Sequence, residues 1–279
     1  MAFNLYRTTK GIQVATGRGI FTVENMEWDS FINEDNLFGK LTSLAQTAVY
    51  DAATPSAADW LKPVNKQEIW ASGVTYYNSK LARQEESAAA GGGDFYARVY
   101  MADRPELFFK ATAGRCAGPG GAVRIRRDST WDVPEPELTL FITSSGKIVG
   151  YTIGNDMSSR SIEGENPLYL PQAKTYDGCA ALGPCLYVSD APLPPDTGIH
   201  LSIYRAEKKE FQGKTSIGQI KRRLDELVSW LYSELSFPDG CFLMTGTGII
   251  PPKEFTLQPG DEIHISIDLI GTLINTVHA

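Results

Sequence analysis

The apolar positions of this chain follow a helical period in two places and a strand period in most others. Near the N-terminus Leu37, Phe38, Leu41, Leu44, Ala45, Ala48 and Val49 recur at helical spacing and predict one amphipathic helix. Strand-like pieces at 3–7 and 19–23 precede it, and the pattern breaks over 53–63. From Lys66 the character changes. Residues 68–75 read as a buried strand, Asn78 as the cap of a helix reaching about Ala90, and Gly91 to Gly93 as its stop. Strand resumes over 104–110, with Glu106 at its mouth. Ser216 with Gln219 forms a capping box ahead of a long helix striped by Ile217, Ile220, Leu224, Leu227, Val228, Leu231 and Leu235. Its charges, Lys221, Arg222, Arg223, Asp225 and Glu226, read as the solvent face. Residues 261–267 alternate, with Ile263, Ile265 and Ile267 inward, and a last strand follows Gly271. The pattern predicts a β-rich α+β chain, divided into a small N-terminal α+β unit (1–65) and a main domain (66–279).

The densest chemistry lies in residues 133–160, VPEPELTLFITSSGKIVGYTIGNDMSSR. Glu135 and Glu137 are two apart, so on a strand both carboxylates point to one face. Ser144, Ser145 and Gly146 signal a turn, and the return strand then sets Glu135 opposite Asn155 or Asp156. Three carboxylates converge at the open end of this hairpin. Like charges that close call for a cation, and a hard divalent ion takes such oxygens. The plainer alternative is two solvated glutamates on an edge strand and a turn aspartate.

Composition removes other classes. The 279 residues carry a net charge of −7, which gives no footprint for nucleic acid or an anionic membrane. The four cysteines have no C-x-x-C spacing and suit a reducing compartment, and no apolar run reaches spanning length, so a cytoplasmic location is expected. There is no G-x-S-x-G and no dinucleotide fingerprint after a strand. Chemistry must come from metal, carboxylates and lysine. Lys174 stands among Ala173, Thr175 and Tyr176, outside any helical charge pattern. It is either a snorkelling surface lysine or a group that loses its proton readily or anchors a carboxylate. Arg83 is either a solvated helix charge or a lid residue that meets an anionic substrate. The hydroxyls and amides of 245–248 could hold an oxyanion.

The order of pieces then carries a resemblance. Glu106 within PELFFK, Gly118-Pro119-Gly120, Glu135-Pro136-Glu137-Leu138, Gly154-Asn155-Asp156-Met157-Ser158-Ser159-Arg160, Lys174, Leu182-Gly183-Pro184 and Thr245-Gly246-Thr247 together resemble the fumarylacetoacetate hydrolase superfamily over about residues 66–277. The resemblance implies a mixed β-sandwich or β-roll and Mg2+, with Mn2+ or Ca2+ as substitutes, on Glu135, Glu137 and Asp156. It also implies a 2-oxo acid or 1,3-dicarbonyl substrate and a homodimer or homotetramer. Hydrolases of this kind carry G-x-N-Y-x-x-H-x-x-E at the lid, whose His–Glu pair activates water. Here Ser79 and Ala82 stand at those two positions. The lid instead resembles the branch that dehydrates 2-keto-3-deoxy-pentonates to 2,5-dioxopentanoate. By that resemblance Lys174 serves C3 deprotonation or carboxylate anchoring, Glu106 acts as acid–base near the leaving hydroxyl, and Arg83 and Thr247 bind substrate. The competing functions are an acylpyruvate-type hydrolase or decarboxylase and a non-catalytic binder of small 2-oxo acids.

Overall fold

A computed structural model describes residues 1–51, 56–79, 81 and 93–279, with side chains omitted over 93–96. Among the described residues, fifteen strands form two sheets. The larger runs β3 (Gly19–Val23), β2 (Gly11–Thr16), β1 (Ala2–Thr8), β10 (Ala180–Ser189), β9 (Ile148–Ser159), β8 (Asp132–Ile142), β13 (Cys241–Met244), β4 (Glu68–Gly73), β5 (Glu106–Thr112), and β6 (Cys116–Ala117) joins β10. The smaller runs β12 (Lys208–Ser216), β11 (Gly198–Arg205), β14 (Glu262–Ile267), β15 (Gly271–His278), β7 (Ala122–Arg124).

The β8–β9 hairpin lies in the middle of the large sheet and is covered on both faces. One face, with Leu138, Leu140, Ile142, Ile153 and Met157, packs on the isoleucines of β11 and β14, Ile263, Ile265 and Ile267 among them. The other, with Phe141 and, from the neighbouring β13, Phe242 and Met244, packs on Phe3, Leu5, Phe31, Leu37 and Leu41. Every residue of β8 is therefore buried, and the reading of Glu135 and Glu137 as solvated edge residues falls. The hairpin turns where expected. Gly146 N–H donates to the Thr143 carbonyl at 2.9 Å, and Asp35 accepts from the Thr143 and Ser145 hydroxyls at 2.6 and 2.7 Å.

Three local expectations need correction. The helix foreseen from Ser216 is a 3-10 turn, Ile217–Gln219, and then an eight-residue helix, Leu224–Leu231. Between them Ile220 bridges Tyr76, and Lys221 N–H donates to the Thr75 carbonyl at 2.9 Å, so the backbone is spent outside a helix. Arg222 is buried rather than solvated, because its guanidinium donates to the carbonyls of Val99, Ala102 and Asp103 at 3.1, 2.6 and 2.9 Å. The helix expected from Asn78 begins at Tyr77, with Asn78 inside it rather than capping it, and its body, Arg83, Gly91 and Gly92 lie outside the described residues. The helix Gly93–Met101 follows. The N-terminal strands extend the large sheet, since β1 pairs β10 with Leu5 opposite Leu186.

Candidate metal and substrate site

Strand register sets the acids. Glu135 pairs directly with Asp156 and Glu137 with Gly154, so the three carboxylates share one face and one end of the hairpin. Their nearest oxygens all lie within 4.8 Å of one another, and the residues are 4 %, 1 % and 1 % exposed. This is the donor set of a hard divalent cation. Buried carboxylates without counter-charge would be prohibitive, and most of that charge is supplied from within the fold. Lys174 Nζ donates to Glu135 Oε2 at 2.8 Å, to Asp156 Oδ2 at 3.3 Å and to Ser158 Oγ at 2.6 Å. Arg160 donates to Glu135 Oε1 at 2.7 Å, and Lys110 Nζ lies 2.6 Å from Asp156 Oδ1.

Glu137 differs. No basic side chain among the described residues forms an ion pair with it, and the Gly246 N–H donates to its Oε2 at 2.6 Å. Burial first, and then the charges of Asp156 and Glu135, push its carboxyl well above the usual range. A cation shared among the three would reverse that push, so the residues fit the ion. Gly246 can aim its N–H there because it sits at φ +89°, and a Cβ would stand 2.0 Å from Thr75 Oγ1. The amide expected for an oxyanion is thus given to a carboxylate. Thr247 lines the cavity, but its hydroxyl donates to the Ile249 carbonyl at 3.3 Å.

Lys174 is no snorkelling surface residue, being 1 % exposed at the end of the short helix Leu170–Lys174. Glu106 opens β5 opposite Gly73, and a Cβ on Gly73 would stand 2.0 Å from its Oε2. The glycine lets the carboxylate fold over β4, and Gly73 itself, not Glu106, lines the cavity. Phe108 is next on that face, with its ring centroid 5.8 Å from Lys174 Nζ, and Lys110 lies deepest. The acids, Lys174, Arg160, Ser79 and Phe108 enclose about 10 Å³, room for roughly one water-sized occupant. The sequence reading gave no role to Lys110, Arg160 or Ser158. Even spacing along a strand, four residues from Glu106 and two from Asp156, is the available signal for Lys110 and Ser158.

A family model described as "Fumarylacetoacetate (FAA) hydrolase C-terminal" matches residues 69–278. The chain belongs to this family. Among the family's curated members, a probable 2-keto-3-deoxyxylonate dehydratase of Haloferax volcanii is 49 % identical over 216 residues, 77 % of this chain and 73 % of its own length. A 2-dehydro-3-deoxy-D-arabinonate dehydratase of Saccharolobus solfataricus is 44 % identical over 218 residues, again 77 % and 73 % of the two chains. A solved 2-keto-3-deoxy-D-arabinonate dehydratase complexed with magnesium and 2,5-dioxopentanoate superposes with a TM-score of 0.80 at 33 % identity, covering 99 % of this chain and 98 % of that one. Ser79, which stands where the resemblance to the family's hydrolases would put a histidine, is buried and turns its hydroxyl onto the Tyr76 carbonyl at 2.8 Å. No helix among the described residues is long and apolar enough to cross a membrane.

Proposed function

We propose that this chain is a Mg2+-dependent dehydratase that converts a 2-keto-3-deoxy-pentonate to 2,5-dioxopentanoate with loss of one water. The observation that carries the reading is a buried Glu135–Glu137–Asp156 triad with Lys174 inside it and no general base at Ser79. Held by those acids, Mg2+ would draw charge from the 2-oxo group and ease loss of the C3 proton. The chain's own groups do the rest. Lys174 works from inside the triad, on the carboxylate and C3 side of the substrate. Glu106 works from beside Gly73, on the C4 hydroxyl side, where the departing oxygen needs a proton. The C3 proton is lost and the C4–O bond breaks, leaving a C3=C4 double bond beside the C5 alcohol. Loss of a C5 proton and its return at C3 moves that double bond to C4=C5, and the enol so formed tautomerises to the C5 aldehyde. Arg83 and Thr247 complete the substrate contacts, with Thr247 supported by its place on the cavity wall.

Mn2+ or Ca2+ would substitute at the same oxygens. Residues 1–65 form the smaller unit and 66–279 the catalytic one, a division supported by every assigned site residue lying in the second. We assign a homodimer or homotetramer, which would cover the exposed Leu168 and Leu269, and a cytoplasmic location, supported by four buried free cysteines.

The test is incubation with 2-keto-3-deoxy-pentonate, with and without EDTA, following the semialdehyde and pyruvate together. Semialdehyde formation that EDTA stops is the expected result. Pyruvate release would make the chain an acylpyruvate-type hydrolase, and no turnover across a panel of 2-oxo acids would make it a binder.

A further inference from the structure

We propose that Lys174 is an internal competitor for the metal, which makes metal loading and substrate binding mutually dependent. The inference rests on the reading of this pocket as a divalent-cation site for 2-oxo acids. Its ground is the placement of one atom. Lys174 Nζ lies 2.8 Å from Glu135 Oε2 and 3.3 Å from Asp156 Oδ2, so a single ammonium bridges two of the three acids that a metal needs. Ser158 Oγ, 2.6 Å away, holds it in that position.

The surrounding charges sharpen the competition. Lys110, Arg160 and Lys174 stand against Glu135, Glu137 and Asp156, three formal positive charges against three formal negative ones. Adding a divalent ion alone leaves two surplus positive charges in a dry pocket, an unfavourable state. A 2-oxo acid brings one negative charge on its carboxylate and cancels half of that surplus, and a dianion that chelates through two oxygens cancels all of it. Either carboxylate offers Lys174 a new partner as the acids turn to the metal. The ammonium then serves two anions in succession, and each ligand strengthens the other by the same factor. Lys110 and Arg160 keep their fixed partners, and Lys110 also donates to the Met157 carbonyl at 2.9 Å and to the Lys174 carbonyl. They position the acids but cannot exchange.

Calorimetric titration of metal-stripped full-length protein tests this without turnover. The probes are MgCl2 alone, oxalate alone, and MgCl2 with oxalate, a planar dianion that chelates through two oxygens. For the wild type the expected result is weak Mg2+ binding alone and binding at least tenfold tighter with oxalate. Lys174→Gln is expected to bind Mg2+ alone at least tenfold tighter than the wild type and to lose most of the oxalate gain. Ser158→Ala, which loosens the ammonium while leaving every acid in place, should shift Mg2+ affinity the same way by about threefold. It covers the case of a Lys174→Gln chain that does not fold. Variants that bind Mg2+ no tighter than the wild type would overturn the proposal, since a lysine that only anchors substrate would leave binding of the metal alone unmoved. Wild-type affinity in Glu137→Gln would instead overturn the metal reading itself.

Discussion

Glu135 and Asp156 face each other across the central hairpin as direct cross-strand partners, and both are buried. Like charges opposite one another on a sheet are destabilising. The fold keeps this pair by surrounding it with Lys110, Lys174 and Arg160. The acids are thereby arranged before any ligand arrives, and the arrangement costs stability that a cation can return.

Glu137 is the acid for which that return is largest. Glu137→Gln preserves its shape and still accepts the Gly246 N–H, but removes a buried charge. The variant should bind Mg2+ at least a hundredfold more weakly, a loss of about 2.7 kcal/mol. In EDTA it should melt at a higher temperature than the wild type, because the repulsion from Asp156 and Glu135 is gone. Titration calorimetry and thermal melts check the two halves. Unchanged metal affinity would exclude Glu137 as a ligand.

Lys110 is 0 % exposed and ties together Asp156, the Met157 carbonyl and the Lys174 carbonyl. Removing one member of such a pair leaves the other charge buried and uncompensated, which typically costs about 3–5 kcal/mol. Lys110→Met should lower stability to urea by that amount in EDTA, and saturating Mg2+ should restore part of it. A loss below about 1 kcal/mol would show that Asp156 finds its counter-charge elsewhere.

Much of this site is legible from local pattern alone. Two-residue spacing put Glu135 and Glu137 on one face, and the S-S-G turn fixed the hairpin. Register was the weak point. A slip of one residue would have put Asn155, not Asp156, opposite Glu135 and turned the aspartate to the other face. Nothing local distinguishes those registers, so sequence left both open. Lys110 and Arg222 were obscure for another reason. A buried basic side chain is signalled by its acceptors, and those of Arg222 lie about 120 residues away. The same distance problem hid the pairing of β1 with β10, and of Ile220 with Tyr76, which ended the helix predicted from Ser216. The isoleucine alternation of β14 was readable because one face of that strand meets the core and the other meets solvent.

Gly73 gives access to the role of Glu106 without touching the carboxylate itself. A methyl group there would stand 2.0 Å from Glu106 Oε2, and the flexible end of the glutamate can move aside. Gly73→Ala should therefore fold and bind Mg2+ as the wild type does. Displacing a proton-transfer group by about 1 Å costs on the order of a hundredfold, so turnover should fall by about ten- to a hundredfold. Steady-state rates beside a metal titration separate the two effects. Full turnover would take Glu106 out of the chemistry.

The start of the hairpin supplies a pH dependence that does not involve the acids of the triad. Asp132 opens β8, is 3 % exposed, and its carboxyl is raised from 3.8 to about 6, chiefly by burial, with a smaller opposing pull from a Ser129 hydrogen bond. Because the folded value is the higher one, between about 4 and 6 the folded chain holds a proton that the unfolded chain has released. The stability associated with that proton is complete below 3.8 and lost as pH rises through about 6. Asp132→Asn carries no charge at any pH and should abolish this part of the profile. At pH 7.5 the variant is expected to be more stable than the wild type by an amount on the order of 2 kcal/mol, and at pH 4 nearly equal to it. Urea unfolding across that range, with Mg2+ at saturation to hold the triad constant, measures the difference directly. Parallel profiles for the two proteins would mean that Asp132 is solvated or paired well enough to ionise normally in the fold.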